Sequence, residues 1–180
     1  SLRFGRNKAL EVFQGQSLLE NAVESLRRFC DPLLVVANDL TPYFHIRATL
    51  VQDVLTNQGP LGGIYTALLF SPHEWIFARA TDMPFLVPEL VEWMIRLREG
   101  YDVVVPVLND RHDPLLALYS RCCLAPIAVA LERGDRKIIS FFRKVRVREL
   151  PEKEWRTVDP DGLSFRNINT QENLEQLKWT

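Results

Sequence analysis

The chain opens on Ser1-Leu2-Arg3-Phe4-Gly5-Arg6-Asn7-Lys8, which puts a small hydroxyl residue, a glycine and several cations within one short loop. Glycine lets the backbone approach a bound group closely, Arg3 offers a planar fork of donors, and Lys8 offers a compact point charge. Such a set suits crowded phosphate oxygens, and a solvated basic turn shares the same composition. Farther along, Thr81-Asp82-Met83-Pro84-Phe85 follows an apolar run. A carboxylate at the end of a strand sits where open α/β sheets bind their ligands, and Asp82 suits a Mg²⁺ ion shared with substrate phosphates. An Asp before a proline-containing turn also caps such turns without any ligand. Between these two stretches lie Asp53 and Gly59-Pro60-Leu61-Gly62-Gly63-Ile64. Asp53 can accept hydrogen bonds from a base or a ribose, and the glycines permit close backbone approach ahead of a helix.

Other polar candidates carry less. His45, His73 and His112 are scattered without metal-ligand spacing and read as surface histidines. Arg143, Lys144, Arg146 and Arg148 read as a solvated strand face, and Trp75 and Trp93 as core or interface. Cys30, Cys122 and Cys123 form neither a disulfide framework nor a CxxC pair, so we expect reduced thiols and a cytoplasmic protein. A net charge of -1 argues against nucleic acid as a partner. No apolar run approaches the roughly 20 residues that cross a bilayer, so we expect no membrane association and no secretory leader.

The elements that must position these groups alternate in period. Runs over 33–38, 49–53, 75–82, 102–108 and 115–119 read as strands, with later strands over 145–150 and 163–169. Helical patterns run over 18–29, behind a Ser17/Glu20 capping box, over 88–99, after the glycine block, and over 124–132. Thr170 caps a last helix carrying Leu174 and Leu177. This alternation predicts one α/β domain over residues 1–180, a Rossmann-like three-layer sandwich with a mostly parallel sheet. A doubly wound sheet begins with a central strand that feeds the phosphate loop. We therefore expect about a dozen more residues, one strand and a turn, ahead of Ser1.

Taken in order, the motifs resemble one family. Ser1-x-Arg3-Phe4-Gly5-x-x-Lys8-Ala9-Leu10 is similar to the second half of the signature of molybdenum cofactor guanylyltransferases, whose Leu-Ala-Gly-Gly first half is absent from the sequence. Asp53 with Gly59-Pro60-Leu61-Gly62-Gly63 resembles their Asp and Gly-Pro-Leu-Ala-Gly block, with Gly62 for alanine. Thr81-Asp82-Met83-Pro84-Phe85 resembles their Cys-Asp-Met-Pro-Phe block, with threonine for cysteine. Asp113-Pro114-Leu115-Leu116-Ala117-Leu118-Tyr119 and Phe165-Arg166-Asn167-Ile168-Asn169-Thr170 match the later blocks, so the likeness spans almost the whole chain.

The resemblance implies a Mg²⁺-dependent nucleotidyltransferase that joins GMP from GTP to molybdopterin and releases pyrophosphate. By the same resemblance Lys8, with Arg3, meets the nucleotide phosphates, Asn38 and Asp53 hold the nucleoside beside Gly59 and Gly62, and Asp82 holds the metal. Asn167 and Asn169 fall on the pterin side. Molybdoenzyme chaperones or other cofactor-biosynthesis proteins are the further partners it suggests. The competing readings are a molybdopterin cytidylyltransferase, a sugar-phosphate nucleotidylyltransferase, and a non-catalytic cofactor-binding or chaperone domain on the same fold.

Overall fold

The computed structural model describes residues 7–168. Arg3, Asn169 and the helix expected after Thr170 lie outside the described residues. A turn of 3₁₀ helix over Lys8–Leu10 leads into a small hairpin, β1 (Val12–Phe13) and β2 (Gln16–Ser17). Its two-residue loop, Gln14-Gly15, has φ of 53° and 86°, the twist that suits a tight hairpin. Helix α1 (Leu18–Leu26) starts on the predicted capping box: the Ser17 hydroxyl accepts from the Glu20 amide, and the Glu20 carboxylate accepts from the Ser17 amide at 2.7 Å.

Strand β3 (Leu34–Ala37) pairs in parallel with β4 (Thr49–Gln52), Leu34 facing Thr49 and Ala37 facing Gln52. Helix α2 (Gly59–Phe70) then leads to β5 (Trp75–Arg79), and α3 (Pro88–Arg96) to β6 (Val103–Leu108). Pro88 occupies the first turn of α3, and Gly100, at φ 81°, turns the chain after it. A second two-residue loop, Asn109-Asp110, folds β7 (Arg111–His112) back on β6. Strand β8 (Leu116–Ser120) lies antiparallel between β5 and β6; α4 (Leu124–Glu132) follows, and β9 (Val147–Leu150) runs parallel to β6 ahead of the short α5 (Glu152–Trp155).

The α/β architecture is the expected one, and its sheet is mixed. Side chains alternate across it as a two-sided sheet requires. Val103 and Val105 of β6 and Ala117 and Tyr119 of β8 pack toward α2 and α4. Val104, Leu116 and Leu118 pack toward α3, where Trp155 and Phe165 close the other core. Helix α1 covers β3 through Leu19 and Val23, and Arg28 ties it to α3 by a 2.9 Å bond to Glu92.

Two expectations are corrected. Residues 163–169 were expected as a strand; Leu163–Phe165 is instead a 3₁₀ turn, because both oxygens of Asp159 cap the amides of Leu163 and Ser164 at 2.9 Å. The glycine block was expected to precede a helix, and it is the first turn of α2 itself, with only Gly59 at positive φ, 64°. The basic stretch is also more committed than a solvated face: Arg146 pairs with Asp102 and Arg148 with Glu154.

Asp102 joins three strands. Its amide donates to the Arg146 carbonyl, its carbonyl accepts from Ser120, and its carboxylate takes the Arg146 amide and guanidinium. Those guanidinium bonds, opposed by desolvation and helped by the Arg146 amide, hold its carboxyl below the usual range. The native state therefore favours the ionised form, and this stabilisation is present above the ordinary Asp value near 3.9 and fades as pH falls through the lowered native value. Asp102→Asn is expected to be less stable than the parent at pH 7, with the gap closing in urea unfolding curves below about pH 4.

Candidate nucleotide site at the strand ends

The ends of β3, β4 and β5 carry two stations. At the end of β5, Lys8 Nζ donates to Asp82 Oδ2 at 2.8 Å, and the side chains keep 17% and 28% of their exposure, so a ligand can reach both. The turn presenting Asp82 is fixed from several sides. Arg79, the last residue of β5, donates to the Ser25 hydroxyl and the Met83 carbonyl, and to the Phe85 carbonyl at 2.8 Å. The Ile168 amide donates to the Asp82 carbonyl at 2.8 Å, which brings the exposed Asn167 beside this turn. Phe85 meets Phe13 edge-on at 5.7 Å, with Leu18 and Ile168 completing a small apolar cluster under it.

The stretch leading into β8 adds a second carboxylate, Asp113. Past the last registered pair, Arg79 with Leu116, the chain turns on both sides, and the Asp82 and Asp113 carboxyls lie close enough for their charges to act on each other. Burial pushes the Asp113 carboxyl above its ordinary range against a Leu115 backbone bond, and the charge of Asp82 adds to the rise. The sequence reading gave Asp113 no role of its own; a single Asp in an apolar block has no spacing signal, and only the fold reveals its neighbour.

The second station lies one step past the last registered pair of β3 and β4, where Asn38 and Asp53 fall side by side. The Asp53 amide still donates to Ala37, and its carboxylate is tied to α2 by the Thr66 hydroxyl at 2.7 Å. Thr66 is fully buried and also accepts from the Val54 amide at 3.2 Å, a supporting role the sequence did not signal. Asn38 is exposed. Gly62 passes close by: a Cβ there would stand 3.5 Å from Asp53 Oδ2 and 2.8 Å from the Gln58 Cβ. Asn7 bonds the Tyr43 hydroxyl at 2.9 Å and so links the Lys8 turn to the loop after β3. A cavity of about 660 Å³ touches Arg79 and Thr81, but Lys8, Asp82, Asn38 and Asp53 do not line it.

Comparison with known proteins gives the family of the fold that carries these groups. A family model described as the MobA-like NTP transferase domain matches residues 1–149. The chain belongs to the MobA-like NTP transferase family. It is 38% identical to a molybdenum cofactor guanylyltransferase of Desulfosudis oleivorans, across 99% of this chain and 89% of that protein. It is 33% identical to a probable molybdenum cofactor guanylyltransferase of Natranaerobius thermophilus, across 99% and 90%. Among solved structures, a molybdopterin-guanine dinucleotide biosynthesis protein A from Archaeoglobus fulgidus superposes with a TM-score of 0.83 at 28% identity, over 97% of this chain and 90% of that one. In this MobA-like transferase, as in open α/β sheets generally, the polar groups gather beyond the carboxyl ends of strands.

Thr66→Val keeps the shape of the α2 anchor and removes its hydroxyl. It leaves Asp53 and the Val54 amide short of a partner, so a loss of about 1–3 kcal/mol is expected in chemical denaturation. An unchanged midpoint would mean that Asp53 is held without Thr66.

Proposed function

We propose that this chain transfers GMP from GTP to the terminal phosphate of molybdopterin, releasing pyrophosphate and forming the guanine dinucleotide cofactor. The observation that carries the reading is the Lys8–Asp82 pair at the end of β5. Its support from outside the chain is the agreement of relatives, named as molybdenum cofactor guanylyltransferases, over nearly its full length. In the reaction a phosphate oxygen of the pterin attacks the α-phosphorus of GTP. The bond from that phosphorus to the oxygen bridging to the β-phosphorus breaks, and pyrophosphate leaves with the electron pair. The attacking phosphate is already anionic at neutral pH, so no protein base is required.

The work left to the chain is positioning and charge. Asn38 and Asp53 hold the nucleoside, with Gly59 and Gly62 allowing it close to the start of α2. Lys8, with Arg3, exchanges its carboxylate partner for phosphate oxygens and offsets charge on the departing pyrophosphate. Asn167 and Asn169 border the pterin. Asp82 suits a Mg²⁺ ion: among the described residues no group of three acidic, His or Cys side chains forms a dedicated cage, and this ion is commonly held by one or two carboxylates plus substrate phosphates. When bound, it would neutralise phosphate oxygens. Three cysteines without disulfides are in keeping with the cytosol, and no helix among the described residues is long and apolar enough to cross a membrane.

The test is pyrophosphate release with molybdopterin, Mg²⁺ and either GTP or CTP. Turnover with GTP supports the reading, and preference for CTP or no release with either overturns it. Asp82→Asn is expected to lower kcat by roughly 10²–10³ while its circular dichroism stays native. Lys8→Ala is expected to raise the KM for GTP by tenfold or more, the scale of one charged hydrogen bond at about 1.5–3 kcal/mol.

A further inference from the structure

Lys8 carries its charge on a flexible four-carbon stem, so the place of that charge depends on how firmly the backbone beneath it is held. The residue ahead of it does part of the holding. Asn7 Oδ1 accepts from the Ala9 amide at 3.3 Å, and the Asn7 carbonyl accepts from the Leu10 amide at 3.0 Å, which closes the 3₁₀ turn over Lys8–Leu10. Asn7 is exposed, so water competes for its side chain and the cap alone fixes the turn weakly. The Tyr43 hydroxyl settles the competition. It accepts from Asn7 Nδ2 at 2.9 Å and donates to Asn7 Oδ1 at 3.2 Å. The oxygen that Tyr43 meets is the one that caps the Lys8 turn.

Tyr43 is itself a firm post. It packs with Ala9 against the cluster of Leu19, Val23, Val35 and Ile46, so both sides of the tie rest on one core. Around it the loop after β3 is bonded at short range. The Asp39 carboxylate accepts from the Thr41 amide at 3.0 Å, the Tyr43 amide donates to the Leu40 carbonyl at 2.9 Å, and the Ile46 amide donates to the Tyr43 carbonyl at 2.9 Å. This loop starts at Asn38, one step past the last registered pair of β3 and β4. A chain of bonded turns thus runs from Asn38 through Tyr43 to Asn7 and joins the two stations. Packing requires only the ring of Tyr43; its hydroxyl goes to the Lys8 turn.

We infer that Tyr43 is a positioning residue for triphosphate binding: through Asn7 it holds the Lys8 ammonium where phosphate oxygens meet it. This rests on the reading of Lys8 as a phosphate ligand, and it is independent of the base that the nucleotide carries. A turn already held in the free protein lowers the ordering cost that nucleotide binding would otherwise carry. Tyr43 touches neither substrate nor metal in this role. Removing its hydroxyl leaves the charge of Lys8 in place and loosens only its position.

The test is a double-mutant cycle on Tyr43→Phe, Lys8→Ala and the pair in the 180-residue chain. The affinity for GTP with Mg²⁺ is read by calorimetry, with CTP run beside it so that base preference does not decide the outcome. Tyr43→Phe keeps the ring and its packing. It is expected to weaken the tighter nucleotide about three- to tenfold, the scale of one net hydrogen bond, and by less than about twofold where Lys8 is already alanine. Asn7→Ala cuts the same tie from its exposed end, and its loss is expected not to add to that of Tyr43→Phe. It takes the place of Tyr43→Phe in the cycle should that variant not fold. Unchanged affinity on losing the hydroxyl overturns the inference. So does an equal loss with and without Lys8, because the hydroxyl would then act on the nucleoside or on the fold at large. If Lys8→Ala alone leaves affinity unchanged, or the parent binds neither nucleotide, the phosphate reading of Lys8 fails and the inference falls with it.

Discussion

The site is organised around one ion pair, Lys8 with Asp82, held at 2.8 Å across 74 positions of sequence. Neither group is fully exposed, so each carries part of its desolvation cost, and the opposite charge offsets it. That arrangement suits exchange. Under the proposed function, a metal-bound triphosphate would bring a cation for the carboxylate and anionic oxygens for the ammonium, so each group would change partner without being left uncompensated. The remainder of the fold keeps the two ends of this pair from drifting apart. Asn7 caps the turn that carries Lys8, and Tyr43 anchors Asn7 to the loop after β3.

On the carboxylate side the anchoring is deeper. Arg79 is a half-buried cation whose desolvation pulls its pKa down to about 10, still high enough to keep it charged at neutral pH. Its acceptors, the Ser25 hydroxyl and the Met83 and Phe85 carbonyls, lie on α1 and on the Asp82 turn. A buried charge is tolerated where hydrogen bonds satisfy it, and here they couple helix packing to the placement of one carboxylate. Asp53 is treated in the same way on a neutral scale, through the buried hydroxyl of Thr66. The two stations are thus supported from opposite layers, one from α1 and the other from α2.

Most of this frame was legible in the sequence, and the exceptions share a cause. Alternation and capping marked α1, α3, α4 and six of the strands, because each buries a regular pattern against a core. The hairpins at Gln14-Gly15 and Asn109-Asp110 went unseen; two-residue strands are too short to show a period. Residues 163–165 carry strand-like side chains, yet Asp159 accepts their amides and turns them into a 3₁₀ turn, a competition no propensity reveals. In the site, Lys8 and Asp82 stood out by motif, and the structure brings them into contact. Asp113, Thr66 and Arg79 did not stand out, because their importance lies in what faces them across a strand pair or a layer.

Gly62, which stands where the resembling signature has alanine, is accommodated locally. A methyl group at this position would come within 2.8 Å of the Gln58 Cβ, closer than side-chain carbons approach. The residue ahead of α2 already occupies the volume that alanine would fill, so the missing methyl leaves no void beside Asp53. Glycine at this position therefore opens no space beside Asp53. Its cost falls on α2 instead, where a glycine in the first helical turn gives up about 1 kcal/mol of propensity relative to alanine. Pro60, pre-set for a helix start, and the buried faces of Leu61 and Ile64 offset that loss by fixing the same turn from either side.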